Sequence, residues 1–120
     1  MRLLICGGRD LKLCTDEIQD AVWKLRHKED IVLIHGCATG ADDAARRWAE
    51  DREYETDAYP ACWKQYGKAA GPIRNTQMLT EGKPDVVIAF WDLKSKGTKD
   101  MINKSLKANV SVLIMPQWEG

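Results

Sequence analysis

Residues 85–91 read Asp-Val-Val-Ile-Ala-Phe-Trp, an unbroken apolar run from Val86 to Phe90. Polar residues do not alternate with apolar ones here, so neither face of such a strand is built to meet water. A strand apolar on both sides belongs in the middle of a parallel sheet, with helices over each face. The neighbouring segments fit that placement. Downstream, residues 97–108 carry Met101, Ile102, Ser105 and Leu106 on the face expected to turn inward, and residues 110–115 form a final apolar strand that Pro116 stops, leaving a short tail at 117–120. Upstream, Gly71-Pro72 precedes a predicted helix at about 73–80, with proline near the start where its missing N–H does no harm.

The amino-terminal half repeats the pattern. Residues 3–6 form a short apolar strand ended by Gly7-Gly8. Thr15 is a predicted N-cap, with Asp16 and Glu17 in the first turn, and Ile18, Ala21, Val22 and Leu25 follow at helical spacing to about Lys28. Residues 31–34 form a second strand ended by His35-Gly36. The helix at 40–51 presents Ala41, Ala44, Ala45, Trp48 and Ala49, and the small side chains allow close packing on a sheet. Residues 55–59 read as a weakly patterned edge strand, and 64–70 as irregular or a short helix. Strand and helix alternate without repeat or linker. The fold class is therefore α/β: a single Rossmann-like three-layer domain over residues 1–120, with a mainly parallel sheet of about five strands. The first strand is expected near the centre, with the strand order reversing between it and the strand at 85–91.

Composition removes several function classes. Lys plus Arg and Asp plus Glu number 18 each, so the formal net charge is zero. Proteins that grip a nucleic-acid backbone usually carry a basic excess, so nucleic acid is not the expected partner. No apolar run approaches the roughly 20 residues of a membrane helix, and the amino terminus is too short in its apolar part for a signal peptide; the expected location is cytoplasmic. Cys6, Cys14, Cys37 and Cys62 show no metal-ligand spacing, so no metal site is expected. They read as small buried hydrophobes or free thiols in a reducing compartment, with Cys6 and Cys37 both at strand ends.

The residues that bear chemistry collect at the carboxyl ends of the predicted strands, where open α/β sheets bind ligands at the point of reversal. One strand ends in Gly7-Gly8-Arg9-Asp10, the next in His35-Gly36 followed by Gly40-Ala41-Asp42, and the strand at 85–91 leads to Gly97-Thr98-Lys99-Asp100. Glycine turns allow close backbone approach, and helix starts attract anions, phosphate above all. Backbone amides at Gly8, Gly36, Gly40, Gly97 and Thr98 are the expected contacts. Arg9 suits a phosphate or a carboxylate, and Asp10 a ribose hydroxyl or its own turn. Asp42 and Asp43 serve either a ligand or the helix dipole. Arg74 and Asn75 follow Gly71-Pro72, where a guanidinium gains nothing from the dipole and so points to a ligand. Trp63 and Tyr66 could stack on a base, or Trp63 could plug the sheet edge. Neither G-x-x-x-x-G-K-[ST] nor G-x-G-x-x-G is present, and no resident cofactor is implied.

Five motifs in order carry a family resemblance: Gly7-Gly8-Arg9-Asp10; His35-Gly36-x-Ala38-x-Gly40-Ala41-Asp42; Pro60-Ala61-x-Trp63; Tyr66-Gly67-Lys68-x-Ala70-Gly71-Pro72-x-Arg74-Asn75-x-x-Met78; and Gly97-Thr98-x-Asp100-Met101. Together they resemble the YspA-like branch of the SLOG superfamily, named for the Smf/DprA and Lonely Guy proteins. The resemblance implies a Rossmann-like fold and a pocket for a nucleotide or nucleotide derivative, in a sensor or ligand-processing role. It also allows a homodimer. Lonely Guy enzymes cleave base from ribose monophosphate and share P-G-G-x-G-T-x-x-E with an upstream Arg. Here Gly97 and Thr98 match and Arg74 aligns with that Arg, but the preceding glycine pair is missing and Met101 stands where the glutamate belongs. Asp100 is the adjacent carboxylate, about 100° away around a helix. Nucleotide binding is thus the leading expectation. N-glycosidic cleavage with Arg74 and Asp100 as catalytic residues is the alternative, and single-stranded DNA binding a third.

Overall fold

The computed structural model describes residues 1–26 and 30–115. Five strands, β1 (Arg2–Gly7), β2 (Val32–His35), β3 (Glu55–Ala58), β4 (Val86–Phe90) and β5 (Ser111–Met115), form one parallel sheet in the order β3-β2-β1-β4-β5. The reversal falls between β1 and β4, because β2 and β3 build out on one side of β1 while β4 and β5 build out on the other. The apolar run of β4 is central as expected, and Val87, Ile88, Ala89 and Phe90 are all buried. β3 is an edge strand with mostly exposed side chains.

Period-two alternation along the central strands divides the core in two. Leu3 and Ile5 of β1, Leu33 of β2, and Ile88 and Phe90 of β4 face one layer. There they meet Ile18, Ala21 and Val22 of α1 (Thr15–Trp23) and the alanine face and Trp48 of α2 (Ala41–Asp51). Leu4, Cys6, Ile34, Val87 and Ala89 face the other, against Met78 of α4 (Ala70–Thr80) and Met101 and Ile102 of α5 (Lys96–Lys107). This is the three-layer arrangement. Trp48 is 1% exposed, yet its indole N–H donates to Gln19 Oε1 at 2.9 Å, so the large ring is buried without an orphaned donor.

Several element boundaries differ from the sequence reading. Cys14, not Thr15, occupies the N-cap of α1; its N–H donates to the Glu17 carboxylate at 3.4 Å, and Thr15 is the first helical residue. The expected end of that helix near Lys28, and the stop at Pro116 with its tail, lie outside the described residues. α4 begins at Ala70 rather than 73, preceded by the one-turn helix α3 (Trp63–Tyr66) and a 3₁₀ turn at Gly67–Ala69. Pro72 thus sits inside the first turn of α4, where N–H groups have no intrahelical acceptor and a proline breaks nothing. Leu106 was expected to face inward but is 57% exposed. The buried face of α5 is Thr98, Met101, Ile102 and Ser105, and Leu106 lies one residue, about 100°, beyond it.

Candidate functional site

The crevice at the carboxyl ends of β1 and β4 opens into a cavity of about 570 Å³. Three turns and the start of α4 enclose it. In the first turn, the Gly8 N–H donates to Phe90 O at 3.2 Å, prolonging the β1–β4 ladder by one rung. Leu11 N–H returns to Gly8 O at 3.3 Å and closes the loop that carries Arg9 and Asp10. Gly7, Gly8, Arg9 and Asp10 all line the cavity, and the side chains of the last two are exposed.

The second turn is laced beneath the first. The Ala41 N–H donates to Gly8 O at 3.4 Å and the Thr39 hydroxyl to Arg9 O at 3.2 Å. Gly40 stands at this crossing with φ 72°, and a Cβ there would collide with Gly8 O and Arg9 O. Four amides of this turn, those of Gly36, Cys37, Ala38 and Ala41, are engaged within the protein. Asp42 Oδ2 accepts from Gly36 N–H at 3.0 Å and from Ala38 N–H at 3.4 Å, and His35 Nδ1 accepts from Cys37 N–H at 3.2 Å. Neither Gly36 nor Gly40 lines the cavity, whereas Asp42 does. Burial pushes the Asp42 carboxyl above the usual carboxylate range, opposed by nearby Arg74 and by the Gly36 and Ala38 amides. Asp43 faces elsewhere and pairs with Arg46 and Arg47 on the α2 surface.

Arg74 and Asn75 tie the two walls together. Arg74 is the fifth residue of α4, not its first, so the helix dipole does not explain it. Its Nη1 donates to Gly36 O at 2.5 Å and its Nε to Asn75 Oδ1 at 3.1 Å. A Cβ on Gly36 would occupy the space that this guanidinium fills. Asn75 is buried, and its Nδ2 donates to Gly97 O at 3.2 Å and to Asp100 Oδ2 at 3.0 Å. Asp100 also pairs with Lys104 at 3.0 Å, one turn along α5. A continuous polar chain therefore runs from the second turn, through α4, to the first turn of α5. Arg74, Asn75 and Asp100 all line the cavity; Met101, at the position of the Lonely Guy glutamate, also borders it, but it is 1% exposed and packs in the core.

The third turn presents α5. Asp92 Oδ1 accepts from Lys94 and Ser95 N–H groups at 2.8 Å each, and these bonds hold its carboxyl below the usual range. Ser95 caps α5, its hydroxyl accepting from Thr98 N–H at 3.3 Å and lying 3.0 Å from the Thr98 hydroxyl. Thr98 is buried, but Gly97 is exposed to the cavity, and a Cβ placed on it would meet nothing within 4 Å. Of the five amides expected to greet a ligand, those of Gly8, Gly36 and Thr98 are thus engaged within the protein. Lys96 and Gly97, in the first turn of a twelve-residue helix, keep N–H groups with no intrahelical acceptor.

The comparisons with known proteins agree with this architecture. Residues 1–66 match the profile of the YspA, cpYpsA-related SLOG family. Over 119 residues the chain is 36% identical to the Gene 61 protein of Mycobacterium phage D29, spanning 93% of this chain and 94% of that one. The chain belongs to the YspA, cpYpsA-related SLOG family.

Some residues of this SLOG site escaped the sequence reading. Lys68, Lys94 and Lys96 line the cavity and join Arg9 and Arg74 as its cations. Lys68 belongs to the fourth of the five motifs, and Lys94 and Lys96 directly precede Gly97-Thr98. Trp63 does not plug the sheet edge. It stands at the cavity, 46% exposed, with the Arg9 guanidinium 4.9 Å from its ring centroid. Cys6 lies on the cavity floor, where burial raises its thiol far above the ordinary range. All four cysteines of the SLOG chain are free thiols, and Cys37 is exposed. No helix among the described residues is long and apolar enough to cross a membrane, and no cluster of three or more metal-ligating side chains occurs among them.

Proposed function

We propose that this chain binds a nucleotide or nucleotide-derived small molecule in the crevice between β1 and β4, as a sensor or ligand-processing domain. The observation that carries the reading is the cavity's charge arrangement. Arg9, Lys68, Arg74, Lys94 and Lys96 line it beside the open first turn of α5. Of its four carboxylates, Asp42 and Asp92 accept from backbone amides and Asp100 from Asn75 and Lys104. Asp10 is the one without a hydrogen bond or ion pair among the described residues. The side chains thus favour an anion at the α5 end, with Asp10 available to a ribose hydroxyl. The volume lies within the roughly 300–1,000 Å³ range of small-molecule sites, and family membership supports a nucleotide-related ligand. Free thiols and neutral net charge suit a cytoplasmic role. Calorimetry of the full chain against mono-, di- and cyclic nucleotides tests the reading: at least one binds saturably at a single site. Failure of every member on folded protein contradicts it.

A second reading draws on Asp100 and Arg74 lining the same cavity, joined through Asn75. Water would cleave a nucleoside monophosphate to free base and ribose 5-phosphate, with Asp100 stabilising the oxocarbenium centre and Arg74 the phosphate. Chromatographic detection of released base, abolished by Asp100→Asn, is its test; no release, or release that this variant leaves unchanged, excludes that assignment.

A further inference from the structure

One aromatic side chain at the cavity, Trp63, lies outside both hydrophobic clusters of the core. Trp63 opens α3, and neither α3 nor the 3₁₀ turn that follows contributes a buried residue. Nothing in the core requires an indole there, and leaving so large an apolar ring 46% exposed forgoes nearly half of the gain from burying it. Trp63 nevertheless borders the cavity, with Cη2 against Gly71 of α4. The Arg9 guanidinium covers its ring at 4.9 Å. Arg9 is exposed and makes no ion pair among the described residues, so this stack is its main anchor.

We infer that Trp63 is the stacking platform for the ligand's heterocycle and that Arg9 is its exchangeable cover. The inference rests on the nucleotide reading above and specifies its base-binding end. A guanidinium and a nucleobase are both flat and both stack on indole. An exposed cation–π contact is weak, whereas a base gains more from an aromatic platform. The base displaces Arg9 from the ring, and the released guanidinium turns to the ligand's phosphate, for which its fork geometry is suited. Every base has a π-face, so the platform discriminates by overlap area and favours purines over pyrimidines without reading hydrogen-bond edges.

The test compares AMP, GMP, CMP and UMP with ribose 5-phosphate on the full chain, by calorimetry, for wild type, Trp63→Ala and Trp63→Phe. Because the segment buries no side chain, both variants are expected to stay folded, which a thermal melt verifies. Trp63→Ala weakens the purine monophosphates about tenfold to a hundredfold and leaves ribose 5-phosphate unchanged; Trp63→Phe recovers most of the loss. Equal weakening of nucleotide and sugar phosphate, or no weakening, overturns the platform while leaving the nucleotide site standing. If neither nucleotides nor ribose 5-phosphate bind wild type, the nucleotide reading and the platform fall together.

Discussion

Replacing Gly97 with alanine separates the needs of the fold from those of the ligand. Gly97 is the second residue of α5, its φ is not positive, and a methyl group there meets no protein atom within 4 Å. Glycine costs a helix interior about 0.5–1 kcal/mol relative to alanine. In a first turn about half of that is a reasonable share, so the variant should be more stable by about 0.5 kcal/mol. For a domain of this size that corresponds to a rise in Tm of roughly 2 °C. The same methyl group would take up open space at a cavity-lining residue, beside the N–H groups of Lys96 and Gly97 that lack an intrahelical acceptor. Holding a phosphate away from that turn should weaken binding about tenfold, equivalent to about 1.4 kcal/mol. Differential scanning fluorimetry and calorimetry with the tightest nucleotide of the panel read the two effects. A variant that is stabilised yet binds as wild type does would refute the claim that ligand backs onto this turn. A destabilised variant would refute the open geometry at Gly97.

Three further outcomes follow from buried groups of the second turn. Asp42→Ala leaves the Gly36 and Ala38 amides without their acceptor and should cost about 1–3 kcal/mol in urea unfolding. Asp42→Asn keeps an acceptor oxygen and removes a buried charge, so it should cost clearly less; equal costs would mean that the charge, not the amide bonds, matters. Burial, reinforced by Arg46, lowers the pKa of His35 from its ordinary value near 6.5. The unfolded chain therefore binds more protons in that window. Stability is full above about pH 6.5 and declines as pH falls from there toward the folded value. His35→Gln should flatten that segment of the pH–stability curve, and an unchanged slope would assign it to other groups.

Much of the fold could be read in the sequence because its signals are local. The doubly apolar run Val86–Phe90 marks a central strand, and the spacing of Ala41, Ala44, Ala45 and Trp48 marks the buried face of a helix. Both are periodicities of a few residues. The gathering of three strand-end turns into one crevice follows from parallel topology alone. The division of labour within the crevice was less legible. The glycine turns resembled an amide nest, but Asp42, His35 and Ser95, each within a few residues of the amides concerned, take those donors themselves. That signal was present and pointed away from a bare nest. The hydrogen bond from Arg74 to Gly36 O and the link from Asn75 to Gly97 O join residues far apart in sequence, and no local pattern encodes them. Nor does one encode the pairing of Arg9 with Trp63, which depends on where α3 is laid across the cavity.

The central claim is that the β1–β4 crevice receives a phosphate-bearing ligand against the start of α5. Backbone amide chemical-shift mapping of the ¹⁵N-labelled chain during titration with the purine monophosphates tests it most directly. Saturable shifts should concentrate at Gly8, Arg9, Asn75, Lys96 and Gly97 and leave β3 and the exposed face of α1 unmoved. Shifts that concentrate on those outer surfaces, or none at millimolar ligand, would contradict it.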